Sequence, residues 1–380
     1  MNLSLSPEQE EIRRLARDFA DREVKPRAEA IDHKVEFPHD LVEKAAALGL
    51  LGMLVPEAFG GAGLDHVSFA IFIEEVAKYS ASTAVIIDVH TSVGTEPIVL
   101  FGSDEQKRRW LPELASGTML AAFALTEPDA GSDAAHLKSA AVRRGDTYVL
   151  NGSKIFITNA GEAGCYIVLA STRPGSGAAG VTAFIVRGDN PGLTVGPPFK
   201  KMGLNGSAIA EVFFTDCEVP AADRLGDEGQ GFRIAMRALD SGRIGISAQA
   251  VGLAQGALDD AIAYAGERKQ FGKPISELQT IQNKIADMAV KVRAARWMTW
   301  NAAARCDAGL PFTREASMAK LYATDSAMEV TLEAVQVLGG YGYLEEYPMA
   351  RRVRDAKACQ IYEGTNQIQR IVIAREVLSA

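Results

Sequence analysis

The stretch Tyr148-Val149-Leu150-Asn151-Gly152-Ser153-Lys154-Ile155-Phe156-Ile157 sets two short apolar runs on either side of an Asn-Gly pair. β-Branched and aromatic triplets favour strands, and Asn-Gly suits the positive φ angles of a two-residue hairpin turn. A β-hairpin is the expectation. The same texture holds across residues 121–230, in Tyr166-Ile167-Val168-Leu169-Ala170, Val181-Thr182-Ala183-Phe184-Ile185-Val186 and Val212-Phe213-Phe214. Outward in both directions the period changes. Ser6 with Pro7 and Gln9 opens a first helix whose apolar positions are Ile12, Leu15, Ala16 and Phe19, a capping pattern. Helical spacing continues to about residue 120, broken at Pro38, Pro56 and Phe59-Gly60-Gly61-Ala62-Gly63. From about residue 231 an alanine-rich 3.6-residue period returns, with breaks near Gly272-Lys273-Pro274, Gly309-Leu310-Pro311 and Gly339-Gly340. The order predicts an α+β, multidomain chain: an N-terminal helical domain (1–120), a central β-sheet domain (121–230) and a C-terminal helical bundle (231–380).

The 380 residues carry 40 Lys plus Arg against 48 Asp plus Glu, a net charge of -8. That balance argues against nucleic acid or an anionic membrane as partner and for a small organic substrate. The four cysteines, Cys165, Cys217, Cys306 and Cys359, lack CxxC spacing, and the five histidines lack a ligand spacing. Reduced thiols in a cytoplasmic protein and no metal site are expected. The segment MNLSLSPEQEEIRR has no export pattern, and no apolar run reads as the roughly 18 residues of a membrane span. Asn151-Gly152-Ser153 and Asn205-Gly206-Ser207 match glycosylation sequons, but without an export signal they read as turns.

Common nucleotide loops are incomplete. Gly229-Gln230-Gly231 lacks the third glycine of the dinucleotide fingerprint, Gly266 to Gly272-Lys273 has the wrong spacing for a P-loop, and no GxSxG elbow occurs. What remains is a set of polar and glycine clusters: ALTEPDAGSD from Ala124, ERKQFG with Gln279 downstream, QVLGG from Gln336, and QIYEGTNQIQR from Gln360. In the last, Glu363 stands between Tyr362 and Gly364, just ahead of a helix whose capping pair is expected to be Asn366 with Gln369. On this segment alone Glu363 reads as a carboxylate complementing a helix dipole.

Taken in order, ALTEPDAGSD, NGSKIFITNA, LDSGRIGISAQAVGLAQ, ERKQFGKPISELQ, QVLGGYGY and IYEGTNQIQR resemble the acyl-CoA dehydrogenase family along essentially the whole chain. The resemblance implies the three-domain order above, non-covalently bound FAD and a homotetramer built as a dimer of dimers. It implies α,β-dehydrogenation of an acyl-CoA thioester, with electrons passed to an electron-transferring flavoprotein. Glu363 is then the base that removes the α-proton, which is only weakly acidic and needs a polarised carbonyl and a carboxylate within reach.

Position by position, the resemblance assigns Phe123, Leu125, Thr126, Gly131 and Ser132 to the loop lining the flavin, and Phe156, Ile157 and Thr158 to its second wall. Arg268, Phe271, Gln279, Gln336, Val337, Leu338, Gly339 and Gly340 resemble the residues that hold the FAD diphosphate and adenine side across a subunit boundary. Thr365, Asn366 and Gln367 complete the flavin contacts. Asp240, Ser241, Gly242 and Arg243, together with Ser132 and Gly364, are implied to meet the acyl-CoA; Arg243 alone would read as a surface helix ion pair. Phe156 departs from the tryptophan many members carry there. Residues 87–92 fall in a region that shapes the acyl pocket, read as a loop. Isovaleryl-type and long-chain members place the base at the position of Gly242, so this sequence sides with the short-chain, medium-chain and short-branched-chain members, and most with butyryl-type enzymes. The alternatives are a branched substrate, oxidase-like use of oxygen, and a catalytically silent scaffold.

Overall fold

The computed structural model describes residues 4–379. Seven helices come first: α1 (Pro7–Phe19), α2 (Lys25–Lys34), α3 (His39–Ala47), α4 (His66–Ala77), α5 (Ala81–Asp88), α6 (Glu96–Phe101) and α7 (Asp104–Ala115). The strands are β1 (Leu120–Ala124), β2 (Ala140–Arg144), β3 (Thr147–Thr158), β4 (Ala163–Ser171), β5 (Val181–Arg187), β6 (Leu193–Val195), β7 (Ile209–Pro220) and β8 (Arg224–Leu225). Then follow α8 (Gly231–Glu267), α9 (Gln279–Asp307), α10 (Thr313–Leu338), α11 (Met349–Cys359) and α12 (Asn366–Leu378). Helices, mixed sheet and helices follow the predicted order. Ser6 caps α1 through a complete capping box with Gln9, as expected.

The strands form one sheet in the order β6-β7-β3-β2-β4-β5-β8, with β1 pairing parallel to β4. The opening stretch is not a hairpin. β3 runs straight through Asn151-Gly152, pairing Leu150 with Cys217 and Gly152 with Phe214 across a register shift. Gly152 has φ 149°, and a Cβ there would lie 2.7 Å from Ser139 Cα, so glycine admits a close backbone approach inside a bulge. Asn151 pairs its side chain with Asp216 opposite. The actual hairpin turn is Gly145-Asp146, between β2 and β3. A second shift, between Lys154 and Ile157, contains Phe156 at φ 60°. The bulge throws its ring outward, 64% exposed and 5.7 Å from the Phe199 ring.

Residues 87–92 are helical, not a loop. Ala81–Phe101 is one 21-residue helix with a π-helical stretch, Val89–Thr95. It is long and apolar enough to cross a membrane, correcting the estimate from the sequence, but 83% of its apolar window lies inside the protein. Its neighbours are α8 and β1, so it is a core helix. α8 is the spine of the molecule: Ile244 and Ala248 pack with α4 and α10, whereas Ile246, Ala250 and Leu253 pack with Val85, Val89, Val93 and the inner faces of α9 and α10.

Candidate active site

Glu363 sits in the turn between α11 and α12, at φ 52°, followed by Gly364 at φ 90°. Two successive positive φ values reverse the chain, and the non-glycine one is a strained conformation of the kind found at functional sites. Several bonds hold it. Lys320 Nζ, buried on α10, donates to the Gly364 carbonyl (2.8 Å) and to Asn366 Oδ1 (3.0 Å). Gln369 Nε2 donates to the carbonyls of Glu363 (3.2 Å) and Gly364 (2.9 Å). Tyr362 OH donates to Gln249 Oε1 on α8, whose Nε2 donates to the Ala81 carbonyl. The helix cap differs from expectation: Thr365 Oγ1 accepts from Ile368 N, while Asn366 and Gln369 turn inward. Asn366 is engaged with Lys320, Thr324 and Asp325 and Gln369 with the Glu363 and Gly364 carbonyls, which leaves the cap to the hydroxyl.

Both Glu363 carboxylate oxygens are inaccessible to solvent and unpaired. Burial pushes the group up to about 7, with the charges of Arg243 and Lys320 pulling the other way. A carboxylate serving only the α12 dipole would be held low, so the dipole role fails. Across from it, Gly242 of α8 offers no side chain. A Cβ at Gly242 would overlap Glu363 Oε2 and lie 2.7 Å from its Cδ, so the two positions compete for one space.

Arg243 is 5% exposed, which removes the surface-pair alternative. Its Nη1 donates to Asp240 Oδ1 (2.6 Å), and its Nε is unpaired. Asp240 also accepts from Thr313 Oγ1 (2.6 Å), and Ser241 Oγ from Arg237 (2.7 Å). A Cβ at Gly364 would lie 3.9 Å from Arg243 Nη2, and the Arg243 charge acts on Glu363, so the segment Asp240 to Arg243 and the Glu363 turn form one site.

The wall ahead of β1 is stapled by Glu127. Its carboxylate accepts from Lys154 Nζ (2.7 Å), Lys138 N (2.6 Å) and Ser139 N (3.0 Å), and Lys154 also reaches the Leu125 carbonyl (3.0 Å). Burial lowers Lys154 to about 8 despite its partner. Ile155 N donates to the Thr126 carbonyl (2.9 Å), which joins the two predicted flavin walls side by side. The Leu125 and Ile157 side chains turn into the core; Thr126 and Thr158 are half-buried, and Gly131 and Ser132 are exposed. Phe156 thus presents an open ring on a strand that bonds the Thr126 backbone and carries Thr158, a surface suited to a flat heteroaromatic group.

A separate set gathers elsewhere. The Arg268 guanidinium lies 5.6 Å from the Tyr341 ring, joining the end of α8 to the Gly339–Tyr343 turn. Phe271 is 90% exposed, Gln279, Gln336, Gly339 and Gly340 are exposed, and Val337 and Leu338 are buried in the core. Gln336 lies 16 residues beyond Lys320 on α10, about 24 Å at about 1.5 Å per residue. One chain therefore keeps this set far from its own Glu363. Lys320, Gln249 and Gly245 were not singled out from the sequence, and Asp88 only as part of residues 87–92. Lys320 had a signal: a lone cation on the apolar face with Ala316, Ala319, Ala323 and Ala327.

A helical-sheet-helical fold enclosing this carboxylate meets its match in comparison with known proteins. The family models for the acyl-CoA dehydrogenase N-terminal, middle and C-terminal domains match residues 6–118, 122–217 and 229–378. The chain belongs to the acyl-CoA dehydrogenase family. It is 50% identical to an acyl-CoA dehydrogenase of Bacillus subtilis over 376 residues, 99% of each chain. Among solved structures it is similar to the butyryl-CoA dehydrogenase of Megasphaera elsdenii (TM-score 0.98, 46% identity, 100% of each chain). It is equally similar to a chain from a structure concerned with the electron transferring flavoprotein of Acidaminococcus fermentans (TM-score 0.99, 46% identity, 100% of each chain).

Proposed function

We propose that this enzyme removes the α-proton and β-hydride of a short-chain acyl-CoA to give the trans-2-enoyl-CoA, with Glu363 as the base. The observation that carries this is the buried, unpaired Glu363 carboxylate, raised to about 7 and facing the side-chain-free Gly242. A base near neutrality is both ionised enough and basic enough to work at physiological pH. No acceptor among the described residues pairs the Glu363 amide, so that N–H is free to polarise a thioester carbonyl as charge develops. Arg243, with its spare Nε, and Asp240 are assigned to the acyl-CoA.

FAD, when bound, accepts the hydride from the β-carbon. Thr126, Ser132, Phe156 and Thr158 would hold its ring, with the exposed Phe156 as the cover. Val85, Val89 and Val93 pack in one buried cluster with Ile246 and Ala250 of α8, and we take this close packing to favour a short acyl group. The named butyryl-CoA relative supports the same choice. Electron-transferring flavoprotein is the proposed acceptor, supported by the similar chain from the flavoprotein structure.

The roughly 24 Å between Lys320 and Gln336 favours an FAD whose ring meets one subunit and whose diphosphate meets the Arg268 set of another. Exposed Phe271 (90%), Val290 (66%) and Ile371 (64%) supply apolar area for the proposed tetramer of cytoplasmic subunits. Residues 1–120, 121–230 and 231–380 are its proposed domains. Anaerobic bleaching of the bound flavin by acyl-CoAs of four to twelve carbons (~4 to ~12), followed by reoxidation with flavoprotein or oxygen, tests the proposal. Fastest bleaching by butyryl-CoA and reoxidation by the flavoprotein are expected; bleaching by none would refute it.

A further inference from the structure

Asp88 is the last residue of α5, fully buried, and faces α8 one turn along from the base's own contact. A Cβ at Gly245 would overlap Asp88 Oδ1, just as one at Gly242 would overlap Glu363 Oε2. Gly242 and Gly245 are three residues apart on one helix and therefore neighbours on the same face. The two carboxyl groups thus lie side by side against α8, each where a glycine leaves room. Asp88 Oδ1 accepts from Ser92 Oγ (2.9 Å), a hydroxyl that also serves the Asp88 carbonyl (2.8 Å). Asp88 Oδ2 and both Glu363 oxygens have no partner.

Their surroundings are unequal. Glu363 feels the cations Arg243 and Lys320. Around Asp88 stand Ser92 on its own helix, the bare backbone of Gly245, Tyr362, whose hydroxyl is committed to Gln249, and the Glu363 carboxylate. No cation among the described residues acts on it. Like charges this close in a dry site do not both ionise, and unequal environments decide which member keeps the proton.

We propose that Asp88 is a positioning residue for the base: it forms a carboxyl pair with Glu363 in which Asp88 holds the last shared proton and leaves Glu363 as the member that ionises first. The assignment rests on Glu363 being the base of the proposed reaction. Burial and the charge of Glu363 hold Asp88 well above the usual carboxylate range, in the same direction. After Glu363 takes the α-proton the pair carries two protons, and one leaves before the next turnover.

Infrared difference spectroscopy of the flavin-loaded enzyme at about pH 9, above the range in which Glu363 titrates, reads the proton directly. One protonated-carboxyl C=O band per active site is expected, lost in Asp88→Asn and kept in Glu363→Gln. A band lost in Glu363→Gln and kept in Asp88→Asn, or no such band in the parent enzyme, overturns the proposal. The pH profile of flavin reduction by butyryl-CoA gives a second readout, two ionisations in the parent and one in Asp88→Asn; an unchanged profile overturns the proposal too. Asp88→Ser, smaller and also neutral, takes the place of Asn if that variant loses flavin. Because the spectra need no turnover, their failure is separable from failure of Glu363 as base, which near-normal bleaching of Glu363→Gln would show.

Discussion

Replacing Glu363 by glutamine should stabilise the protein while disabling it, and the gain should depend on pH. The carboxyl moves from 4.5 to about 7 on folding because burial penalises its charge. A raised acid pKa favours folding fully below 4.5, and that contribution is lost as pH rises through about 7. At about 1.36 kcal/mol per pH unit, the ionised carboxylate costs about 3 kcal/mol above pH 7, which neutral glutamine does not incur. With about 2.1 cal/mol/K of unfolding entropy per residue over 380 residues, the variant should melt about 4 °C higher at about pH 8 and within about 1 °C of the parent at about pH 4. Differential scanning calorimetry at equal flavin loading measures it. A variant melting below the parent at the higher pH, or a difference that ignores pH, would refute the buried-charge argument; a helix-dipole carboxylate predicts a loss, below about 1 kcal/mol.

Gly242→Ala should force the Glu363 carboxylate from its place, since the added methyl overlaps Oε2. A displacement of about 1 Å can cost about a hundredfold, so stopped-flow flavin reduction should fall by about that factor while the melting temperature changes little. Lys320→Met should remove two bonds to the turn and cost about 2 kcal/mol in urea unfolding. It should also shift the acid limb of flavin reduction upward, because the Lys320 charge holds Glu363 down. Arg268→Ala should weaken flavin retention and assembly together; unchanged flavin occupancy and sedimentation would contradict its proposed place at a neighbour's cofactor.

Long-range periodicity made the fold legible in the sequence. Short β-branched and aromatic runs such as Tyr166–Ala170 form strands, and the alanine-rich 3.6-residue period after residue 231 forms helices. Local turn chemistry misled at Asn151-Gly152, because a bulge that needs close backbone approach uses the same residues as a hairpin turn. Residues 87–92 misled for a related reason. Polar Asp88, His90, Thr91 and Ser92 read as a loop shaping the acyl pocket, yet they lie in a buried helix with a π-helical stretch. Glu363 was visible through its motif. Its surroundings were less so: Lys320 stood out only as a lone cation on an apolar face, and its meeting with the Glu363 turn, like that of Asp88, comes through the packing of α10 and α5 against α8, contacts that no local pattern encodes.

The central claim is that Glu363 takes the substrate proton. Mixing Glu363→Gln with butyryl-CoA in an anaerobic stopped-flow instrument tests it most directly, because the amide keeps the shape of the turn and removes only the acceptor. Thioester binding should survive, while flavin bleaching slows by about a hundred- to ten-thousandfold or more, the range for loss of a general base. Bleaching at a rate near that of the parent enzyme would contradict the account, since Gly242 has no side chain with which to replace the base.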